Sequence, residues 1–212
     1  MRINTVLLAT AFVSSVLVAC GHTPAKNPDP NHTHADFAVW MDGKQMDFSG
    51  EKFMEKELTP AQEEVLKHET GAVTDLSAVN LQKYLHLHDG NGHVIHRHKS
   101  GLTLADFFTS IRIGFSGKCF TSGVPMQDGE TCSENLFRLF VNGTEQSFDD
   151  LNYVFEDGDK ILITTAVDQT ELTKELGLMT DDACLYSKTC PWRGDAPTEN
   201  CIADPNVPCT QN

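Results

Sequence analysis

Three pairs of histidines, each with a single residue between its members, constrain the fold of this chain more than any other feature. The pairs are His32/His34, His86/His88 and His96/His98. Alternate side chains of a β-strand point to the same face and each residue adds ~3.3 Å, so each pair projects two imidazoles ~6–7 Å apart on one side. The pattern therefore predicts strands that carry histidines on one face.

The two later pairs lie in one predicted β-hairpin, and its turn decides whether they share a face. A two-residue turn at Gly90-Asn91 would put the pairs on opposite faces of the hairpin. A three-residue loop that ends at Gly92 instead pairs His86 with His96, and both pairs then face the same way. We favour this loop because Gly92 can supply the left-handed conformation that often ends such loops. A slip of one residue would also expose the apolar face.

The first strand candidate, Thr33 to Met41, alternates polar and apolar residues and puts His32, His34 and Asp36 on one side. If this strand joins the hairpin, four to six imidazoles and a carboxylate share a patch. Imidazole clusters suit zinc, copper or nickel far better than calcium or magnesium. The sequence therefore predicts a zinc or copper site whose candidate ligands are the histidines of the three pairs, namely His32, His34, His86, His88, His96 and His98.

Two other interpretations of the histidines stay open, a solvated polar strand face and a cluster that senses pH. The number of histidines also leaves an alternative, because an ordinary structural zinc site has four ligands. Either two metals bind, or only part of the cluster binds metal.

The remaining pattern predicts a small α+β fold, with a mixed sheet of hairpins packed on one main helix. Asp42-Gly43 and Asn142-Gly143 are tight-turn signals. Thr103 and Asp106 form a variant of the capping box ahead of an amphipathic helix predicted over 103–113. A second, polar helix is predicted to begin near Thr59 and to continue to Glu69.

Two segments resemble the second half of a β-grasp (ubiquitin-like) domain. They read L-F-V-N-G over 139–143 and D-G-D-K-I-L-I over 157–163. Sulfur-carrier members of that fold have a V-N-G turn and an L-x-D-G-D-x-I strand in similar places, so the resemblance implies a β-grasp arrangement here. Sulfur carriers end in Gly-Gly directly after the last strand. This chain continues for more than forty residues, so their activity is not implied.

The amino terminus is similar to that of bacterial lipoproteins. Arg2 precedes an apolar run over 6–18, which is shorter than the about 20 residues that span a bilayer and fits a secretory signal. The sequence L-V-A-C-G over 17–21 resembles a lipobox, whose cysteine becomes the lipid-modified amino terminus. The resemblance implies a signal peptide over 1–19 and a lipid on Cys20. It also implies a location outside the cytoplasm in the bacterial cell envelope, on the outer membrane or cell surface, with the membrane as partner through the lipid.

The other cysteines and the prolines define the remaining organisation. Residues 20–31 contain three prolines and are predicted to form an extended tether, followed by a histidine-rich domain over 32–167. Six further cysteines in an exported chain indicate disulfides. Cys119 and Cys132 flank a turn-rich segment and are predicted to pair. The extension over 168–212 has too few large apolar residues for its own core and is predicted to be held by disulfides in an undetermined pairing of Cys184, Cys190, Cys201 and Cys209.

Charge and motifs narrow the function further. The chain has 30 acidic and 16 basic residues and a net charge of −14, which disfavours nucleic acid as a partner. The motifs H-T-H-A-D-F, H-L-H-D-G and I-H-R-H resemble a family of small exported or membrane-anchored bacterial and archaeal proteins. Some members of that family carry a disulfide-isomerase label, but this chain has no C-x-x-C pair.

The function that the sequence favours is transition-metal binding by a lipid-anchored protein, without catalysis. One alternative is a metal-dependent hydrolase, for which Asp36, Asp89 and Glu69 are candidate general bases. The others are a thiol–disulfide oxidoreductase similar to protein-disulfide isomerases and a non-enzymatic surface scaffold.

Overall fold

The computed structural model describes residues 25–29, 31–55, 78, 81–122, 129–148 and 151–198. The predicted signal peptide, Cys20, the helix predicted from Thr59, and Cys201 and Cys209 lie outside these residues. Among the helices of the described part, none combines the length and the hydrophobicity needed to cross a bilayer.

The described residues form two sheets and three short α-helices, so the protein is α+β and mostly sheet. The strands are β1 Thr33–Met41, β2 Lys44–Gln45, β3 Leu85–His86, β4 Val94–Arg97, β5 Ile113–Ser116, β6 Cys119–Ser122, β7 Glu130–Cys132, β8 Arg138–Val141, β9 Thr144–Gln146 and β10 Lys160–Thr164. The α-helices are α1 Leu104–Ser110, α2 Gln169–Gly177 and α3 Ala183–Tyr186.

The larger sheet is mixed and has the strand order β3-β4-β1-β10-β8-β9, with β2 also paired to β1. β1 and β10 are parallel, and the other pairs of this sheet are antiparallel. The strands β5, β6 and β7 form a second, antiparallel sheet. This second sheet was not predicted from the sequence.

β1 lies in the middle of the larger sheet, and its predicted bounds are confirmed. Because its side chains alternate, Ala35, Phe37 and Val39 enter the main hydrophobic core, whereas Ala38 and Trp40 enter a smaller cluster. Both predicted two-residue turns are also confirmed. Each has two consecutive left-handed residues, with φ of 51° and 72° at Asp42-Gly43 and 51° and 75° at Asn142-Gly143, which matches the twist of the flanking strands.

The helix α1 begins with the predicted capping box. The Asp106 amide donates to Thr103 Oγ1 at 3.2 Å, and the Thr103 amide donates to Asp106 Oδ2 at 2.8 Å. Its Phe107 belongs to the main core, with its ring 5.0 Å from that of Phe37. The helix is shorter than predicted because Arg112 adopts a φ of 60°, and β5 begins at Ile113.

The segment after β10 packs on the sheet instead of forming a core of its own. Leu172 of α2 is buried with Trp40, Phe140 and Leu162 in the smaller cluster. The predicted Cys119–Cys132 disulfide is confirmed and joins directly opposed residues of β6 and β7. The extension carries a second disulfide, Cys184–Cys190.

Glu175 of α2 makes stability depend on pH. It is 1% exposed, and burial raises the pKa of its carboxyl above the ordinary 4.5. At pH values between 4.5 and the raised pKa, the folded state therefore holds a proton that the unfolded state has released. The free energy of unfolding consequently falls as the pH rises through this range. We expect Glu175→Gln to gain stability relative to the wild type between pH 4.5 and neutrality, measured by urea unfolding, with exposed Glu134→Gln as the control. A stability difference that does not change with pH would contradict this.

Candidate metal centre

Strand pairing brings the three histidine pairs to one face of the sheet. β4 lies between β1 and β3, and its His96 is opposite His34 of β1 and His86 of β3. The predicted pairing of His86 with His96 is therefore confirmed. The apolar residues between the histidines, including Leu85 and Ile95, are buried in the main core on the other face.

The predicted role of Gly92 in the hairpin is wrong. The left-handed residues are Asp89 and Gly90, with φ of 55° and 71°, and they precede the position that the sequence indicated. Gly92 is needed for another reason. A Cβ atom there would lie 2.4 Å from the Ser49 amide nitrogen and 2.5 Å from the Phe48 carbonyl carbon, so only glycine lets that segment approach the hairpin.

The six histidines of the three pairs form one continuous group, which we call the histidine array. Neighbouring ring centroids are 4.4 Å apart for His32/His34, 4.9 Å for His34/His96, 4.0 Å for His88/His96, 4.0 Å for His32/His98 and 5.0 Å for His86/His98. Four members are almost fully buried, at 1% exposure for His34 and His86, 0% for His96 and 6% for His98. The array is therefore a buried cluster and not a solvated strand face.

Within the array, His32, His34 and His96 come close enough to share an ion. One ring nitrogen from each lies within 4.8 Å of those of the other two. Zinc–nitrogen bonds of ~2.0–2.1 Å and tetrahedral geometry require ligands ~3.3–3.4 Å apart. Zinc binding would therefore require the imidazoles to rotate so that the three nitrogens move closer together.

A hydrogen-bonded chain determines which nitrogen of His34 carries the proton. Ser187 Oγ donates its only proton to Asp157 Oδ1, because a carboxylate only accepts. His34 Nδ1 lies 2.7 Å from the same hydroxyl oxygen and must therefore donate to it. In the neutral ring the lone pair is then on Nε2. Metal-binding histidines are typically held in this way, with the other ring nitrogen donating to an oxygen.

The same reasoning applies along the array. His88 Nδ1 donates to Asp89 Oδ2 at 2.8 Å, so its Nε2 accepts from His96 Nδ1 at 3.2 Å. The lone pair of neutral His96 is consequently on Nε2. His86 Nδ1 donates to the Gln82 carbonyl oxygen at 2.7 Å, which leaves its lone pair on Nε2 as well. The buried imidazoles of His34, His86 and His96 thus share one tautomer, in which the lone pair of Nε2 can bind a cation.

The extension supplies a part of the site that was not predicted from the sequence. Tyr186, the last residue of α3, lies over the array with its ring centroid 4.7 Å from His96 and 5.6 Å from His34. Ser187 follows directly. No sequence signal marks these two residues, and the sequence left the pairing of Cys184 with Cys190, which encloses them, undetermined.

Asp36, one of the three candidate general bases, is hydrogen-bonded to the extension. Its carboxylate accepts from the Thr180 hydroxyl at 2.6 Å and from the amides of Asp182 and Ala183 at 2.9 and 3.1 Å, which fastens the start of α3 to β1. Burial raises the pKa of this carboxyl, and the three hydrogen bonds act in the opposite direction. Asp36 is therefore an anchor of the extension.

The other candidate general bases give no better support to hydrolysis. Asp89 accepts from His88 at the exposed end of the array, and Glu69 lies outside the described residues. Asp157 is connected to the array only through Ser187, whose hydroxyl orients His34. His93, which belongs to no pair, lies apart from the array and contacts Asp182 at 3.0 Å.

No family model, curated protein or solved structure matches this chain. The resemblances to lipoproteins, to the histidine-rich family and to the β-grasp fold stay predictions.

Proposed function

We propose that this protein binds a transition metal, zinc or copper, at the bacterial cell surface, and that His32, His34 and His96 hold the ion. The observation that carries the proposal is the convergence of three imidazoles, on two adjacent strands and the residue that precedes one of them, with ring nitrogens within 4.8 Å of one another. His34 and His96 are additionally held in the tautomer that offers Nε2.

Burial of the array supports an ion more than a pH sensor. A protonated imidazole in such a place pays the cost of burying a charge, and several protonated rings within 4–5 Å would also repel one another. Neutral rings that share one cation avoid both costs. Imidazole is a suitable ligand for both zinc and copper, and three ligands leave a fourth position open to water or an exogenous ligand.

A binding role fits the surroundings of the array better than hydrolysis does. The carboxylates of Asp36 and Asp157 hold the extension and orient His34, so they already have structural partners. We therefore propose capture or buffering of the metal, with the open position available for exchange.

The proposal includes a β-grasp core and a lipid anchor. The order β2-β1-β10-β8-β9, with β1 parallel to β10, supports a β-grasp arrangement in which the hairpin β3–β4 is an addition beside β1. The lipobox-like sequence around Cys20 supports attachment to the membrane, which would hold the array outside the cytoplasm.

The test is to purify the protein without a polyhistidine tag, dialyse it against zinc or copper, and measure metal per chain by elemental analysis. We expect at least one equivalent that resists dialysis against buffer. A metal content far below one equivalent for both metals would contradict the proposal.

The orientation of His34 by Ser187 gives a separate prediction. Ser187→Ala removes the acceptor for His34 Nδ1, and loss of such an outer hydrogen bond weakens metal affinity by about 10–100-fold. The dissociation constant is measured by competition with a chromogenic chelator. Ser110→Ala is the control, because Ser110 is also buried but bonds a carbonyl in α1. Equal affinities for Ser187→Ala and the wild type would contradict the assigned tautomer.

A further inference from the structure

The second sheet brings together two cysteines and a glutamate that do not belong to the histidine array. One ligand atom from each of Cys119, Glu130 and Cys132 lies within 4.8 Å of those of the other two. The two sulfurs are joined in a disulfide. We propose that this group becomes a binding site for zinc or copper(I) when the disulfide is reduced, with two thiolates and the carboxylate as ligands. The inference does not depend on the function proposed for the array.

Strand pairing, and not only the disulfide, holds the two sulfurs side by side. Cys119 of β6 is directly opposite Cys132 of β7, with their Cα atoms 4.0 Å apart. β6 is also paired with β5 along its whole length. Phe120 is buried in the main core, so the register of β6 directs Cys119 to the other face. We therefore expect both thiols to stay on one face after reduction, where opposed side chains can span the ~3.8 Å between two zinc-bound sulfurs.

Glu130 supplies a carboxylate on the same face, because it precedes Cys132 by two residues on β7. Its Oε1 lies 3.7 Å from Cys132 Sγ. A disulfide sulfur carries no proton, so this contact is not a hydrogen bond in the oxidised protein. In a tetrahedral zinc site, a bound sulfur and a bound carboxylate oxygen are ~3.5–3.7 Å apart. The carboxylate oxygen therefore already lies at the distance from a sulfur that a shared ion requires.

Reduction converts the two sulfurs into metal ligands. A dithiol reductant attacks one sulfur of the Cys119–Cys132 bond, that bond breaks, and the two sulfurs of the reductant become joined to each other. The two protons of the dithiol pass to the cysteine thiols. Metal binding then displaces both protons to water, because the ligand is the thiolate. Thiolates select zinc and copper(I), and three protein ligands leave a fourth position for water.

Exposure favours reduction of this disulfide over the other one. Glu130 and Cys132 are exposed and Cys119 is half-buried, whereas Cys190 of the Cys184–Cys190 disulfide is 3% exposed. Thiol–disulfide exchange requires access to a sulfur. We therefore expect a small dithiol to open Cys119–Cys132 first in the folded protein. The pair would then join β6 to β7 when oxidised and bind metal when reduced.

The experiment is a cobalt(II) titration of the full chain before and after treatment with dithiothreitol, which is removed without air before cobalt is added. Sulfur-to-cobalt charge-transfer absorption is the signal, because imidazole and carboxylate ligands do not produce it. We expect this absorption in the reduced wild type and not in the oxidised chain, and we expect added zinc to remove it. The double variant Cys119→Ser/Cys132→Ser should lack it, with circular dichroism to check that this variant is folded.

A second variant tests the carboxylate without removing the disulfide. In the reduced protein, Glu130→Gln should weaken cobalt binding by at least about 10-fold, since a ligand is lost. The control is Glu134→Gln, which changes an exposed glutamate of the same region and should bind cobalt as the wild type does. Equal affinities of Glu130→Gln and the wild type would overturn the three-ligand site.

The remaining outcomes separate this inference from the proposed function. Metal bound by the oxidised chain belongs to the array, so each proposal can fail without the other. Absence of the charge-transfer absorption from the reduced wild type overturns the inference, and so does equal absorption in the double serine variant, which would assign it to other cysteines. Alkylation and peptide mass spectrometry report which disulfide has opened. A Cys119–Cys132 bond that stays closed in the folded chain also overturns it.

Discussion

Replacing His96 by alanine is expected to weaken metal binding at the site proposed for His32, His34 and His96 by more than about 100-fold while the chain stays folded. His96 is the only residue of that site that β4 supplies, and it lies between His34 and the supporting His88. Loss of an outer hydrogen bond alone costs about 10–100-fold in affinity, so loss of a ligand costs more. Competition with a chromogenic chelator measures the dissociation constant.

The control for this variant is His93→Ala. His93 belongs to the same hairpin and is 37% exposed, but its partner is Asp182 and it lies outside the array. We expect it to bind metal as the wild type does. Circular dichroism of both variants checks that the sheet is intact. Wild-type affinity in His96→Ala would remove this histidine from the site.

Replacing Asp36 by alanine is expected to lower the free energy of unfolding by about 3 kcal/mol, the sum of several buried donors left without an acceptor at about 1–3 kcal/mol each. The donors are the Thr180 hydroxyl and the amides of Asp182 and Ala183. Because these groups begin α3, we also expect Tyr186 and Ser187 to lose their positions over the array and metal affinity to fall. Urea unfolding and the chelator competition measure the two effects.

Asp168→Ala is the matched control for Asp36→Ala. Asp168 also accepts from two backbone amides, those of Thr170 and Glu171, but it caps an exposed helix terminus. Loss of such a cap costs about 1 kcal/mol and should leave metal affinity unchanged. Hydrogen exchange at the amides of 183–187 reports whether the extension has detached. Equal stabilities of the two variants, with protected amides in both, would contradict the anchoring role of Asp36.

Local physical chemistry explains what the sequence predicted well. The alternation over Thr33–Met41, the left-handed turns and the capping box at Thr103 each depend on residues within a few positions of one another. The pairing of His86 with His96 also follows from local pattern, because a slip of one residue would move the imidazoles into the apolar core and Leu85 and Ile95 onto the face of the histidine array.

What the sequence did not predict depends on contacts between distant segments. Ser187 meets His34 across 153 positions, and the amide of Ala183 meets Asp36 across 147. No periodicity links such positions. The role predicted for Gly92 was wrong for the same reason. A glycine is required there by the close approach of the backbone at Ser49, and not by the conformation of the hairpin loop. The pairing of β5, β6 and β7 was not predicted because the residues between Cys119 and Cys132 were interpreted as a turn-rich segment closed by a disulfide.

The most direct test of the central claim is anomalous X-ray diffraction from crystals of the protein saturated with zinc. We predict an anomalous peak enclosed by the imidazoles of His32, His34 and His96, at ~2.0–2.1 Å from each bound nitrogen. No peak within the array, or zinc found only at exposed carboxylates elsewhere on the surface, would contradict the account.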